Sequence, residues 1–162
     1  MKKYFFIVVI MTLSFNAFAQ KKLLIYNLSA NDITINDIFT KHSTNAYPQV
    51  VDNASPILVP AGESLELIGT HLTRFPFSQL VGETWVGITS ATTSTGALSG
   101  GATEIAYGSG QVFHCIKFYD GYASGVLGTS PMGINEVELP DTLGIYEEFL
   151  IGTVIEYTIV FL

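Results

Sequence analysis

The stretch "QVFHCIKFYDGYASG", residues 111–125, holds the two side chains of this chain best suited to nucleophilic chemistry. Cys115 is the only cysteine, and it directly follows His114, one of three histidines. An imidazole activates a thiol only when the two groups come within hydrogen-bonding distance. The stretch alternates like a β-strand, and neighbours on a strand point to opposite faces. We therefore expect no catalytic pair, and we predict that Cys115 is a small core residue and His114 a hydrogen-bonded or rim residue of the sheet.

The other histidines and the carboxylates do not show the spacing of a metal site. His42, His71 and His114 are far apart in the sequence, and a structural zinc site needs more than one cysteine. Glu136 and Glu138 would share one face of a strand, as a calcium pair or a glycosidase pair would, but a solvated sheet face is the simpler interpretation. We predict no metal, no cofactor and no catalytic residue. A hydrolase with an unrecognised site remains an alternative.

The segment "HLTRFPFSQLVGETW", residues 71–85, gathers side chains of the kinds that bind ligands. Aromatic rings on an irregular segment beside polar groups can stack on a sugar or anchor the side chain of a partner. The alternative is that these rings cap the end of the hydrophobic core. The candidate ligand-binding residues are His71, Arg74, Phe75, Phe77 and Trp85.

Alternation with a period of two dominates the chain after its first twenty residues and predicts an all-β fold. Strands are expected on both sides of a turn at residues 29–32, on both sides of Pro60-Ala61-Gly62, and within residues 83–91, whereas residues 39–56 are expected to be a long loop with one short strand. Further strands are expected at 111–119, 122–128, 134–139 and 151–162. We predict an antiparallel β-sandwich of about nine or ten short strands; the alternative is a closed β-barrel, which has the same period.

A tight hairpin is predicted at Asp120-Gly121. A two-residue type I′ turn requires positive φ at both central positions, and this dipeptide is typical of it. Such a turn would pair Tyr119 with Tyr122 across the hairpin.

Two further segments carry predictions about local structure. Residues 89–103 are small, polar and rich in glycine, which predicts a surface loop, and a short strand is expected at 103–107. Residues 141–150, "DTLGIYEEFL", are the best candidate for a helical turn, with Asp141 as its cap.

The beginning of the chain predicts export. Residues 1–19 combine two lysines, an apolar run and a final Ala-Phe-Ala, which is the pattern of a cleaved secretory signal peptide. The apolar run is shorter than the ~20 residues that a membrane-spanning helix needs. The mature chain is then expected to be a single domain, residues 20–162, without a membrane span, located in the periplasm, on the cell surface or outside the cell.

Charge and composition narrow the function. Removal of Lys2 and Lys3 with the signal peptide takes the formal net charge from −7 to −9, and such a surface repels nucleic acids. The sequence therefore favours a non-catalytic binding or assembly module of the cell envelope or exterior, whose partner is a glycan or a surface protein. The alternatives are a carbohydrate-binding module and a small outer-membrane β-barrel. Self-association through the terminal strands is a further expectation.

Overall fold

The computed structural model describes residues 20–52, 56–68, 84–108 and 110–162, which form thirteen β-strands and one short helix. The all-β prediction is confirmed. The strands outnumber the nine or ten expected because several are only two to four residues long. In chain order the elements are β1 (Gln20–Asn27), β2 (Ile33–His42), β3 (Gln49–Asp52), β4 (Ile57–Val59), β5 (Ser64–Ile68), β6 (Thr84–Ser90), β7 (Thr93–Ser94), β8 (Leu98–Ser99), α1 (Gly100–Tyr107), β9 (Gln111–Tyr119), β10 (Ser124–Gly128), β11 (Glu136–Leu139), β12 (Thr142–Ile151) and β13 (Val154–Phe161).

The described strands form two sheets rather than a single closed one, so the architecture is sandwich-like. The five-stranded sheet has the order β11-β12-β13-β1-β5. The eight-stranded sheet has the order β10-β9-β2-β3-β6-β7, with β4 paired to β2 and β8 paired to β6. The chain crosses between the two sheets four times: at the turn after β1, at the Pro60-Ala61-Gly62 turn after β4, between β5 and β6, and between β10 and β11.

The two terminal strands lie side by side in the middle of the five-stranded sheet. β1 and β13 run parallel, in a register that joins Gln20 to Val154 and Asn27 to Phe161. This pair departs from the antiparallel sheet that the sequence predicted. β5 pairs with the other side of β1, and β12 pairs with the other side of β13. Neither terminal strand therefore presents an unpaired edge to a second chain.

The hydrophobic core lies between the sheets and uses the alternating apolar residues of the strands. Aromatic rings from both sheets meet there, with centroids 5.3 Å apart for Phe113 and Tyr146, and 4.7 Å apart for Phe118 and Phe161. Full burial of one large apolar side chain stabilises a fold by about 1.5–3 kcal/mol. The largest fully buried side chains are Trp85, Tyr157, Phe113, Phe118, Phe161, Leu23, Ile25, Ile33, Ile35 and Ile38.

The hairpin between β9 and β10 has a longer loop than the sequence predicted. Tyr119 pairs with Ser124 rather than with Tyr122, so residues 120–123 form the loop. The carboxylate of Asp120 explains the difference, because its Oδ1 accepts the backbone N–H groups of Tyr122 at 2.9 Å and Ala123 at 2.7 Å. These bonds stabilise a wider turn than an Asp-Gly dipeptide forms by itself.

Two segments have a different secondary structure from the one predicted: one predicted strand is helical, and one predicted helical turn is a strand. Residues 103–107 belong to α1, whose N-cap Ser99 accepts the N–H of Ala102, so the strand predicted there is wrong. Residues 142–151 form β12 instead of a helical turn, because β11 and β13 pair with its two edges. Tertiary pairing decides such segments when local propensity is weak. No helix in the described ranges has the length and apolar character needed to cross a bilayer.

Candidate functional site

The ligand-binding residues predicted from residues 71–85 fall in two groups. His71, Arg74, Phe75 and Phe77 lie outside the described residues, so their role stays a prediction. Trp85 lies on β6, and its side chain is 0% exposed within the core cluster. Its ring therefore packs in the core, and a role of Trp85 in ligand binding stays a prediction.

The His114-Cys115 pair lies at a β-bulge. In the pairing of β9 with β2, Cys115 is opposite Phe39 and Phe113 is opposite Thr40, so the register skips His114. The bulge places both Phe113 and Ile116 in the core. Without the bulge, strict alternation along the strand would direct these two side chains to opposite faces of the sheet.

The environment of these two side chains does not favour nucleophilic chemistry. Burial raises the pKa of the Cys115 thiol to about 11, so it stays protonated at neutral pH. Burial, and then the charge of Lys41, lower the pKa of His114. The Nδ1 atom of His114 lies 3.1 Å from the Thr129 hydroxyl, which makes it a hydrogen-bonded residue of the sheet.

A cleft at one margin of the five-stranded sheet collects polar and aromatic side chains that can bind a ligand. We call it the edge cleft. It lies between the loop that joins β10 to β11 and the second half of β12, and its volume is about 620 Å³. Known small-molecule sites have volumes of roughly 300–1,000 Å³. Its lining residues are Thr129, Ser130, Asn135, Glu136, Ile145, Tyr146, Glu147, Glu148 and Phe149.

The edge cleft exists because β12 is longer than its neighbour β11. The ladder between the two strands ends where Glu136 meets Ile145, and beyond that point β12 pairs only with β13. Residues 147–151 are consequently exposed on both faces of the strand. The facing loop is fixed by backbone bonds, since the Asn135 carbonyl accepts the N–H of Tyr146 at 2.7 Å and the His114 carbonyl accepts the N–H of Thr129 at 2.7 Å.

The edge cleft is acidic. Three glutamates line it and no lysine or arginine does, although Lys41 reaches the nearby Ser130 carbonyl at 3.4 Å. Burial, and then the charge of Glu148, raise the pKa of Tyr146, so its hydroxyl stays neutral and donates to Glu148 Oε2 at 3.3 Å. Within the described ranges, no three histidine, cysteine or acidic side chains are grouped to hold a metal ion. The cleft thus offers hydrogen-bond acceptors, hydroxyls and an amide.

One aromatic ring completes the edge cleft. Phe149 is 42% exposed, so part of its ring is open to a ligand. Phe149, Glu147 and Glu148 are not among the residues predicted from the sequence, because residues 141–150 were expected to form a helical turn. The alternation of Leu143 and Ile145 with smaller or polar neighbours was the available signal of a strand. Of the two glutamates proposed as a pair, Glu136 lines the cleft, whereas Glu138 lies opposite Leu143 outside it.

β12 and the turn that follows it end in an exposed segment, residues 147–153, whose first three residues also line the edge cleft. We call this segment the ribbon end. Leu150 is 72% exposed and Ile151 is 58% exposed, and the chain turns at Gly152 with a φ of 64°. Large apolar side chains grouped on the surface often mark an interaction site.

Comparison with protein-family models, with curated proteins and with solved structures gives no match for this chain. The function is therefore inferred from the residues of the chain itself. Two described features bear on it most directly, the edge cleft and the ribbon end.

Proposed function

We propose that the mature chain is an exported, non-catalytic binding module that holds a saccharide in the edge cleft. The observation that carries this proposal is the lining of the cleft, which combines carboxylates, the Asn135 amide and hydroxyls with the half-exposed ring of Phe149. Sugars present vicinal hydroxyls, which donate to carboxylate and amide oxygens, and an apolar face of C–H groups, which packs on an aromatic ring. A saccharide matches both halves of this lining.

Binding is proposed rather than catalysis because Cys115, the candidate nucleophile, is a buried and protonated thiol. The raised pKa of Cys115 keeps its thiol protonated, and the bulge at His114 serves the packing of β9. Export is proposed from the signal-peptide pattern of residues 1–19. The acidic surface supports a neutral or cationic ligand over an anionic one, because like charges repel.

The test uses the mature chain, residues 20–162, in pull-downs on cellulose, xylan, mannan and chitin. We expect retention on at least one polysaccharide and about fivefold weaker retention of the Phe149→Ala variant, since an aromatic stacking contact contributes ~1 kcal/mol. Leu150→Ala is the matched control, because Leu150 neighbours Phe149 on β12 but does not line the cleft. Absence of retention on all four polymers, or equal losses in both variants, would contradict the proposal.

A second candidate function, assembly with a protein partner or with a second copy, is favoured by the ribbon end. Its apolar side chains lie on β12 where that strand pairs with β13 alone and forms the margin of the five-stranded sheet, and Leu150 and Ile151 are more than half exposed. Contiguous exposed apolar side chains can form the core of an interface. Light scattering over a range of protein concentrations tests self-association, and a constant monomer mass would exclude it.

A further inference from the structure

A second cleft lies at the opposite end of the sheet from the ribbon end. It has a volume of about 430 Å³ and opens between the turn that joins β1 to β2 and the loop of the β9–β10 hairpin. We call it the pole cleft. Its lining residues are Ala30, Asn31, Asp32, Asp120, Gly121 and Tyr122.

One wall of the pole cleft is the loop of residues 120–123, which exposes the aromatic ring of Tyr122. Tyr122 is 70% exposed, yet its backbone N–H donates to the buried carboxylate of Asp120 at 2.9 Å. The Asp120 N–H in turn donates to the Ala123 carbonyl at 3.1 Å, and the Tyr119 hydroxyl donates to the Gly121 carbonyl. The loop is thus pre-organised, and an exposed ring on a rigid loop binds a ligand at a low cost in conformational entropy.

The other wall presents an amide and a carboxylate on an equally fixed turn. The Asn31 carbonyl accepts the side-chain N–H of Asn27 at 2.8 Å, and Asp32 Oδ1 accepts the Ala61 N–H at 3.0 Å. These bonds use the backbone of Asn31 and one oxygen of Asp32. They leave the Asn31 side-chain amide, a donor and an acceptor, directed to no bond within the described residues.

We propose that the pole cleft is a second saccharide-binding subsite, in which Tyr122 packs on a sugar ring and Asn31 and Asp32 bind its hydroxyls. The inference rests on the proposed function for the ligand class, because the same pairing of an aromatic face with amide and carboxylate groups recurs here. It differs in its residues, since the two clefts share none. Asp120 is a positioning residue that holds the loop and does not contact the sugar.

The test is a titration of the isotope-labelled mature chain with cellohexaose, xylohexaose, mannohexaose and chitohexaose, followed by NMR of the backbone amides. We expect one hexasaccharide to shift the amides of Asn31, Gly121 and Tyr122. In Tyr122→Ala these shifts require about fivefold more ligand, whereas Tyr122→Phe, which keeps the ring, titrates like the unmodified chain. Shifts of Asn135 and Glu148 report the edge cleft separately and stay unchanged in both variants.

The outcomes distinguish the inference from the proposed function. Shifts confined to the edge cleft overturn the second subsite and leave the proposed function standing. Shifts confined to the pole cleft support the second subsite and overturn the edge cleft as a saccharide site. Pole-cleft shifts that persist unchanged in Tyr122→Ala contradict the assigned contact, and an absence of shifts with all four ligands overturns both proposals.

Discussion

The two ends of the five-stranded sheet use their polar groups in opposite ways. At one end, which we call the loop pole (residues 27–32, 60–63 and 120–123), buried side chains bind the backbone. The Asn27 amide donates to the carbonyls of Asn31 and Val59, both at 2.8 Å, and its oxygen accepts the Ser29 hydroxyl at 2.7 Å. At the ribbon end, Glu147 is exposed and apolar side chains face water.

This difference separates buried polar groups, which stabilise the fold, from exposed groups, which are available to a ligand at either end of the sheet. A buried polar group that already binds the backbone cannot leave it for a ligand without the cost of an unsatisfied partner. Exposed carboxylates at the ribbon end carry no such cost. Substitutions of the buried groups at the loop pole should therefore lower the free energy of unfolding, whereas substitutions of the exposed side chains at the ribbon end and the edge cleft should change binding alone.

The largest expected effect comes from Asn27→Ala at the loop pole. The side chain of Asn27 is fully buried, and its loss leaves the Val59 carbonyl without that donor. We expect the free energy of unfolding to fall by about 3 kcal/mol, because several buried hydrogen bonds are lost together. Urea unfolding followed by circular dichroism measures the change.

Asn36→Ala is the matched control for that experiment. Asn36 lies on β2 and its side chain is exposed, so we expect its free energy of unfolding to change by less than about 0.5 kcal/mol. Similar losses in both variants would show that the loop pole has no special part in stability, and the contrast between the two ends would fail.

Local periodicity predicted those parts of the fold that the residues of a single strand or turn determine by themselves. β9 occupies residues 111–119 as expected, and the turn at Gly62 has the positive φ of 79° that a glycine accepts without strain. The parallel pairing of β1 with β13 could not be predicted, because it joins strands from the two ends of the chain. The register skip at His114 likewise depends on β2, a strand distant in sequence.

The candidate sites were less accessible to sequence analysis than the fold. An aromatic residue in the core and one in a cleft look alike in a sequence, and only burial separates Trp85 from Phe149. The edge cleft depends on the length of β12 beyond the end of β11, which is a property of two strands together. Asp120-Gly121 did indicate a turn. The length of the turn depends on the hydrogen bonds that the Asp120 carboxylate accepts, and these could not be predicted from the sequence.

A smaller effect, and one that depends on pH, is expected from Asp120→Asn. Burial alone would raise the pKa of Asp120, but the hydrogen bonds from the backbone N–H groups of Ala123 and Tyr122 outweigh it and lower the pKa. The stabilisation from the charged form is therefore fully present above the unfolded pKa of about 3.9 and is lost as the pH falls through the lower folded pKa. We expect Asp120→Asn to cost about 1–2 kcal/mol at neutral pH.

The pH series is the decisive part of that experiment. Urea unfolding of both chains at decreasing pH should show their difference shrinking below about pH 3.9, as the unmodified carboxyl becomes neutral like the amide. A difference that stays constant through this range would mean that the charge of Asp120 does not stabilise the loop pole.

The smallest effect on stability is expected at the ribbon end, from Ile151→Lys. Ile151 is 58% exposed, so the lysine meets water and the free energy of unfolding should change by less than about 0.5 kcal/mol. Leu58→Lys on β4 is the matched control, because Leu58 is 57% exposed but lies in the other sheet.

If the ribbon end forms an interface, light scattering will show association that Ile151→Lys weakens and Leu58→Lys does not. Equal effects of the two lysines would assign any association to general surface hydrophobicity, and a large loss of stability in Ile151→Lys would show that the ribbon end, like the loop pole, supports the fold.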